Sequence, residues 1–200
     1  MELPLPECLE GSRVRLEPLK AEHLSELFAA VSDPELWRYI PTMPPAGVEA
    51  LPAKAIQRGG EDFGIFGASD ISWVVIDRES GAIAGTTSFM DWRGVHRGVE
   101  IGFTITGKRW QRTGINREAK YLLMRYGFET LDLLRVCFKT DARNHQSQTA
   151  LSRLGAQEEG RLRSHVIMPD GYRRDTVYFS VLKEEWPEVK NRLEARMTQG

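Results

Sequence analysis

Apolar and polar positions alternate at period two through Arg13-Val14-Arg15-Leu16-Glu17, so this segment reads as a strand with one buried face, ended by Pro18. A short helix is expected from His23 to Ala30. Asp33-Pro34 reads as the start of another, with Asp33 as cap, Pro34 at the first helical position, and Leu36, Trp37 and Tyr39 supplying bulk. The closely spaced prolines of residues 41–45 make a loop, because proline has no N–H to give to a ladder. A third helix is expected between Val48 and Arg58, interrupted by Pro52. Ile71 to Asp77, the turn Glu79-Ser80-Gly81, and Ile83 to Phe89 then read as an antiparallel pair. In the next strand Val99, Ile101, Phe103 and Ile105 alternate with Glu100, Gly102 and Thr104, which predicts an apolar face and a polar one.

From Asn116 the period becomes helical, with Ala119, Leu122, Leu123 and Tyr126 at i, i+3, i+4 and i+7. A strand from Arg135 to Thr140 follows, then a helix from about Asn144 to Leu154 stopped by Gly155. Strands near Leu162 to Ile167 and Thr176 to Leu182 are joined by the turn Pro169-Asp170-Gly171. A last helix carries Trp186, Val189, Leu193 and Met197 on one face, a pattern that predicts packing within the chain rather than a dimer contact. No repeat, low-complexity tract or linker divides the sequence, so residues 1–200 are expected to form one α/β domain with a mixed sheet.

Composition narrows the function classes. A chain of 200 residues with 41% hydrophobic and 28% charged content can build a core, which argues against disorder and against a disulfide-stapled miniprotein. The net charge of −1 argues against a nucleic-acid or membrane-surface binder. Cys8 and Cys137 stand in no metal-ligand spacing, and the four histidines, His23, His96, His145 and His165, are scattered, so no metal is expected. The N-terminal segment has neither a basic region nor an apolar core of the kind that directs export, and no apolar run is long enough to cross a membrane. A reducing cytoplasm is the expected location.

Charge becomes informative once it is resolved along the chain. Residues 107–125 hold six basic side chains, Lys108, Arg109, Arg112, Arg117, Lys120 and Arg125, against Glu118 alone; this local excess of five leaves the rest of the chain at −6. The block sits where a strand feeds a loop and a helix, and a helix start offers unpaired N–H groups and the positive end of a dipole to an anion. Within it lies Gln111-Arg112-Thr113-Gly114-Ile115-Asn116, whose glycine permits close backbone approach. The run Gly102 to Arg109 imitates a phosphate-binding P-loop, but Arg109 stands where a Ser or Thr would hold magnesium, and Phe103 to Ile105 belong to a strand. A nucleotide hydrolase is therefore rejected.

These residues resemble the GNAT superfamily of acyl-CoA-dependent N-acyltransferases, most closely its RimJ/RimL-type branch. The likeness runs from Val14 to Leu182 and is most specific from Val99 to Gly155. Gln111 and Gly114 match the family's pyrophosphate loop, and Asn116 departs from it, standing where relatives have Gly or Ala. Asn144 and Ser147, after Thr140-Asp141-Ala142-Arg143, match its Asn-x-x-Ser positions. Read without the family, the same pair is a helix cap and a polar first turn.

The resemblance implies a three-layer fold with helices on both faces of the sheet, opened between the family's fourth and fifth strands to admit acetyl-CoA. It assigns cofactor contact to Phe103, Thr104, Ile105, Gln111, Arg112, Thr113, Gly114, Ile115, Asn116 and Asn144. An ammonium has no lone pair, so the acceptor amine must lose a proton to attack a thioester; Glu100 is the expected base, with Gly102 leaving room beside it. A backbone N–H near Gly102 or Phe103 is the expected oxyanion donor. Leu151 occupies the position where many relatives have a tyrosine acid, so Ser147 is expected to assist the leaving thiolate. Trp37, Tyr39 and Trp92 are the expected acceptor-side residues, although Trp37 reads equally well as core. The acceptor is a primary amine, either a protein N-terminus or a small molecule, and the assembly a monomer or homodimer. Two alternatives stand: a silent acyl-CoA-binding module, and a succinyl-type donor whose carboxylate would need a cation such as Arg97.

Overall fold

A computed structural model describes residues 6–51 and 71–198. One eight-stranded sheet runs through them: β1 (Leu9–Glu10), β2 (Val14–Pro18), β3 (Ile71–Asp77), β4 (Ile83–Arg93), β5 (Gly98–Thr106), β6 (Arg135–Asp141), β7 (Gln157–Ile167) and β8 (Arg173–Leu182). Their spatial order is β1-β2-β3-β4-β5-β6-β8-β7. Every pair is antiparallel except β5 with β6. That parallel pair needs a crossover, which α2 (Ile115–Arg125) supplies. The other helices are α1 (Leu24–Val31), α3 (His145–Leu154) and α4 (Trp186–Thr198).

Alternation along β3 separates two cores, one on each face of the sheet. Ile71, Trp73 and Val75 join α2, α3 and α4 in the first, whereas Val74 and Ile76 join Leu27 and Val31 of α1 and Trp37 in the second. The expected mixed, mostly antiparallel sheet with helices on both faces is therefore present. The second core ends at β5; it includes no residue of β6, β7 or β8.

The strand and helix positions follow the hydrophobic pattern closely. Ile71–Asp77 is unchanged from expectation, and α4 buries Trp186, Val189 and Leu193 against the rest of the chain. Asp33 caps as expected, its Oδ1 accepting from Glu35 N at 2.9 Å, but Pro34–Trp37 is a 3-10 turn. The third helix is reduced to a turn at Val48–Ala50, and the remainder of its expected span, to Arg58, lies outside the described residues. β7 begins five residues earlier than expected, at Gln157.

One expectation fails for a physical reason that shapes the site. Thr86 pairs with Ile105 and Ser88 with Gly102, so Phe103 and Thr104 together face Thr87 alone. The extra residue is a bulge, with Phe103 at φ 45°. It inverts the parity of β5. Val99 and Ile101 enter the first core, but Phe103 and Ile105 enter the second. Glu100 and Thr104, expected on one face, point to opposite faces.

Candidate active site

β5 and β6 pair only from Gly98 with Arg135 to Glu100 with Cys137. Beyond Glu100 they run on to Thr106 and Asp141 without pairing, which opens a wedge between them. The loop after β5 and the helix after β6 flank its mouth.

The loop after β5 is held by its own side chains. Gln111 Nε2 donates to Thr106 O at 3.2 Å, and Thr113 Oγ1 donates to Trp110 O at 2.7 Å. Arg112 is exposed at φ 65°. Gly114, at φ 93°, is the N-cap of α2, and the first internal bond of the helix is Glu118 N to Gly114 O at 3.0 Å. The amides of Ile115, Asn116 and Arg117 precede it and remain available to an anion. The helix thus starts one residue before the expected Asn116, which lies inside the first turn, one position past Ile115. The Ile115 side chain is buried in the first core.

The basic block disperses on folding. Lys108 reaches Asp33 and Glu35, both at 2.7 Å, which ties the loop to the segment after α1. Arg109 and Arg125 lie over the rings of Trp110 and Tyr121. Lys120 turns inward, donating to Asn116 Oδ1 at 2.7 Å and Thr104 Oγ1 at 3.3 Å, and Thr104 Oγ1 is 2.8 Å from Thr87 Oγ1. Burial without a carboxylate partner among the described residues pulls this lysine down to about 8.

α2 is anchored from below by Glu118, whose carboxylate is buried. It accepts from Ser12 N at 2.5 Å, Ser12 Oγ at 3.0 Å and Arg13 N at 3.1 Å. A Cβ at Gly11 would come within 2.2 Å of Glu118 Oε1. On the other flank of the wedge, Asn144 caps α3 by accepting from Ser147 N at 3.0 Å, as the residues alone had suggested. Leu151, in place of a tyrosine, is buried in the core.

Glu100 lies at the point where the wedge opens and is 5% exposed. Its Oε2 is 2.6 Å from Lys139 Nζ. Burial raises the carboxyl above its ordinary range, and the lysine only partly offsets that rise. A Cβ on Gly102 would meet Glu100 Oε1 at 2.9 Å and Met90 Sδ at 2.8 Å, so the glycine is required by the carboxylate's position. Cys137, paired with Glu100, is pushed up to about 11 by burial and by that carboxylate.

Of the expected acceptor-side residues, Tyr39 is placed near this centre: its carbonyl accepts from Arg174 Nη1 at 3.2 Å, and Arg143 lies over its ring. Trp37 is core. Its indole N–H donates to Val31 O at 2.7 Å, and its ring meets Phe103 edge-on at 5.8 Å. Trp92 packs against the first core, on the face opposite Glu100. Ile105 is also core and can offer a ligand only its backbone. Arg97 is engaged elsewhere, with Asp132. The sequence reading missed Lys139, Arg174 and Tyr178. Their signal was the polar half of two alternating strands, Cys137-Lys139 in β6 and Arg174-Thr176-Tyr178 in β8, but only the strand order brings them beside Glu100.

Among the described residues no cluster of metal-ligating side chains is found, and no helix is long and apolar enough to cross a membrane.

The sequence profile described as "Acetyltransferase (GNAT) domain" matches residues 13–157. The chain is 28% identical over 180 residues to the uncharacterized N-acetyltransferase YoaA of Bacillus subtilis, covering 88% of this chain and 96% of that one. It is 28% identical over 113 residues to the [ribosomal protein uS5]-alanine N-acetyltransferase of Escherichia coli, covering 56% of this chain and 57% of that enzyme. A crystal structure of a GCN5-related N-acetyltransferase from Brucella melitensis superposes with a TM-score of 0.86 at 32% identity, covering 96% of this chain and 86% of that one. The chain belongs to the GNAT acetyltransferase family, in its RimJ/RimL-type branch, and is an N-acetyltransferase.

Proposed function

We propose that this single-domain, cytoplasmic chain transfers acetyl from acetyl-CoA to a primary amine by direct attack in a ternary complex. The observation that carries this reading is Glu100, a buried carboxylate of raised pKa at the apex of the wedge. The diphosphate lies against the start of α2, and the thioester reaches in between β5 and β6. Glu100 takes a proton from the acceptor ammonium, directly or through a water, and the freed nitrogen lone pair attacks the carbonyl carbon. The C–S bond then breaks, and CoA leaves as a thiolate that is protonated at the α3 side, where Ser147 stands in the first turn. The acceptor class includes protein N-termini, in keeping with the name of the E. coli relative, a ribosomal-protein alanine N-acetyltransferase.

Thiol release from acetyl-CoA is to be measured across a panel of amines and N-terminal peptides, with intact-mass detection of the product. Amine-dependent thiol release and a mass gain of one acetyl group support the reading. Tight acetyl-CoA binding with no release across the panel would make the chain a silent binding module instead. Release only from succinyl-CoA would move it to another donor.

A further inference from the structure

Arg174 is 7% exposed and lacks a carboxylate at ion-pair distance among the described residues. The two acidic groups whose fields reach it are both committed. Asp141 is held by Arg143, Nε to Oδ1 at 3.1 Å and Nη2 to Oδ2 at 2.7 Å, and Glu100 is held by Lys139. Nη1 of Arg174 donates to Tyr39 O, and its buried Nε has no hydrogen-bond partner. A buried guanidinium with an unused donor and no carboxylate of its own among the described residues is costly.

Its position gives that cost a use. On β8, Arg174 alternates with Val177, Phe179 and Val181 of the first core, so it shares the opposite face with Thr176 and Tyr178. Tyr178 pairs with Lys139, and the Lys139 ammonium lies 5.2 Å from the Tyr178 ring centre. Arg174 therefore stands on the acceptor side of the sheet, along the strand from the Glu100–Lys139 pair. Glu100 is paired with Lys139 and Asp141 with Arg143, so among these five groups Arg174 is left as the unpaired positive charge. A polyamine acceptor would meet that charge unfavourably.

We propose that Arg174 recognises a carboxylate on the acceptor, and that the acceptor is an amine bearing a nearby acidic group, such as an amino acid or an acidic peptide N-terminus. The assignment rests on the acyltransferase reading above and names its substrate class. The guanidinium, fixed by its bond to Tyr39 O, supplies its remaining N–H donors to the carboxylate, orienting the amine toward Glu100.

The test pairs free acids with their amides as acceptors for acetyl-CoA, using wild type, Arg174→Lys and Arg174→Met. A neutral amine, a polyamine and a succinyl-CoA arm complete it. Wild type is expected to prefer the acid by about tenfold or more in kcat/KM, the scale of one charge-assisted hydrogen bond. Arg174→Met loses that preference and Arg174→Lys keeps part of it, each read as the acid-to-amide ratio within one variant so that a general loss of rate cancels. A thermal shift in the presence of CoA gives a readout independent of turnover: the free acid is expected to stabilise wild type more than Arg174→Met. Should the shift appear without acyl transfer, the carboxylate site stands and the acyltransferase reading falls. Equal use of acid and amide by wild type, with no differential shift, overturns the proposal. So does an Arg174-dependent preference for succinyl-CoA with the neutral amine, which would place the carboxylate on the donor. The acid-amide comparison in wild type holds even if Arg174→Met loses its hold on Tyr39 and fails to fold.

Discussion

Lys139 Nζ meets Glu100 Oε2 at 2.6 Å across the parallel β5–β6 seam, one residue from each strand at the point where they part. Burial and the ammonium act on the carboxyl in opposite directions, and burial prevails. As a base Glu100 must be ionised, so kcat/KM is expected to fall as pH drops through its raised pKa. Glu100→Gln should cut kcat by about a hundredfold or more while leaving acetyl-CoA affinity near wild type. In Lys139→Met the opposing charge is gone, the carboxyl rises further, and the acidic limb of the pH profile moves to higher pH. An unmoved limb would show that the pair is structural.

Gly114 holds φ 93° where the α2 amides begin, so a side chain there is both strained and in the path of an anion. Gly114→Glu adds like charge against a diphosphate. Its KM for acetyl-CoA should rise by at least about tenfold with little change in the acceptor's KM. Calorimetric titration with CoA checks this directly, and unchanged affinity would remove the α2 start from the donor site.

Lys120 gives the fold a measurable alkaline signature. The unfolded chain holds its proton to about 10.5, whereas the folded chain releases it near 8. Between those values the unfolded state binds more protons, so stability rises with pH. Below about 8 both states are protonated and the folded state bears the full cost of the buried ammonium. The groups facing it from β4 and β5 are the Thr87 and Thr104 hydroxyls, with Asn116 on its own helix. Denaturant titrations from pH 7.5 to 10 should show this slope in wild type and a flatter one in Lys120→Met. Parallel slopes would count against the assignment.

Glu118 is charged but structural. Replacing it by Ala leaves the amides of Ser12 and Arg13 without their acceptor, at a cost of about 2–4 kcal/mol. Chemical denaturation measures the loss, and kcat of the folded fraction should be unaffected. A large change in kcat would give Glu118 a role in turnover.

Much of the fold was legible because periodicity reports burial. Val74 and Ile76 alternate with Trp73 and Val75, and the sheet does divide them between two cores. The Asn144–Ser147 cap was legible because capping is local chemistry. What escaped was set by inserted residues and by strand order. One additional residue at Phe103 turned Thr104 to the opposite face from Glu100, and nothing in the alternation of Val99 to Ile105 announced it. Trp92 is in the right stretch of sequence, but the strand parity carries it to the other side. Lys139 and Arg174 are 35 residues apart in sequence and come together with Glu100 only because β8 inserts between β6 and β7.

The bulge in β5 also bears on how such an enzyme diversifies. A strand of unbroken alternation that offered Glu100 to one ligand would present Thr104 to the same one, and substitutions for either partner would disturb both. With the parity inverted at Phe103, the Glu100 side and the Thr104–Lys120 side of one strand answer to different surroundings. On the proposed acceptor side, residues of β6 and β8 can be exchanged while those beneath the α2 loop are kept, so a change of acceptor range would require only a few replacements there.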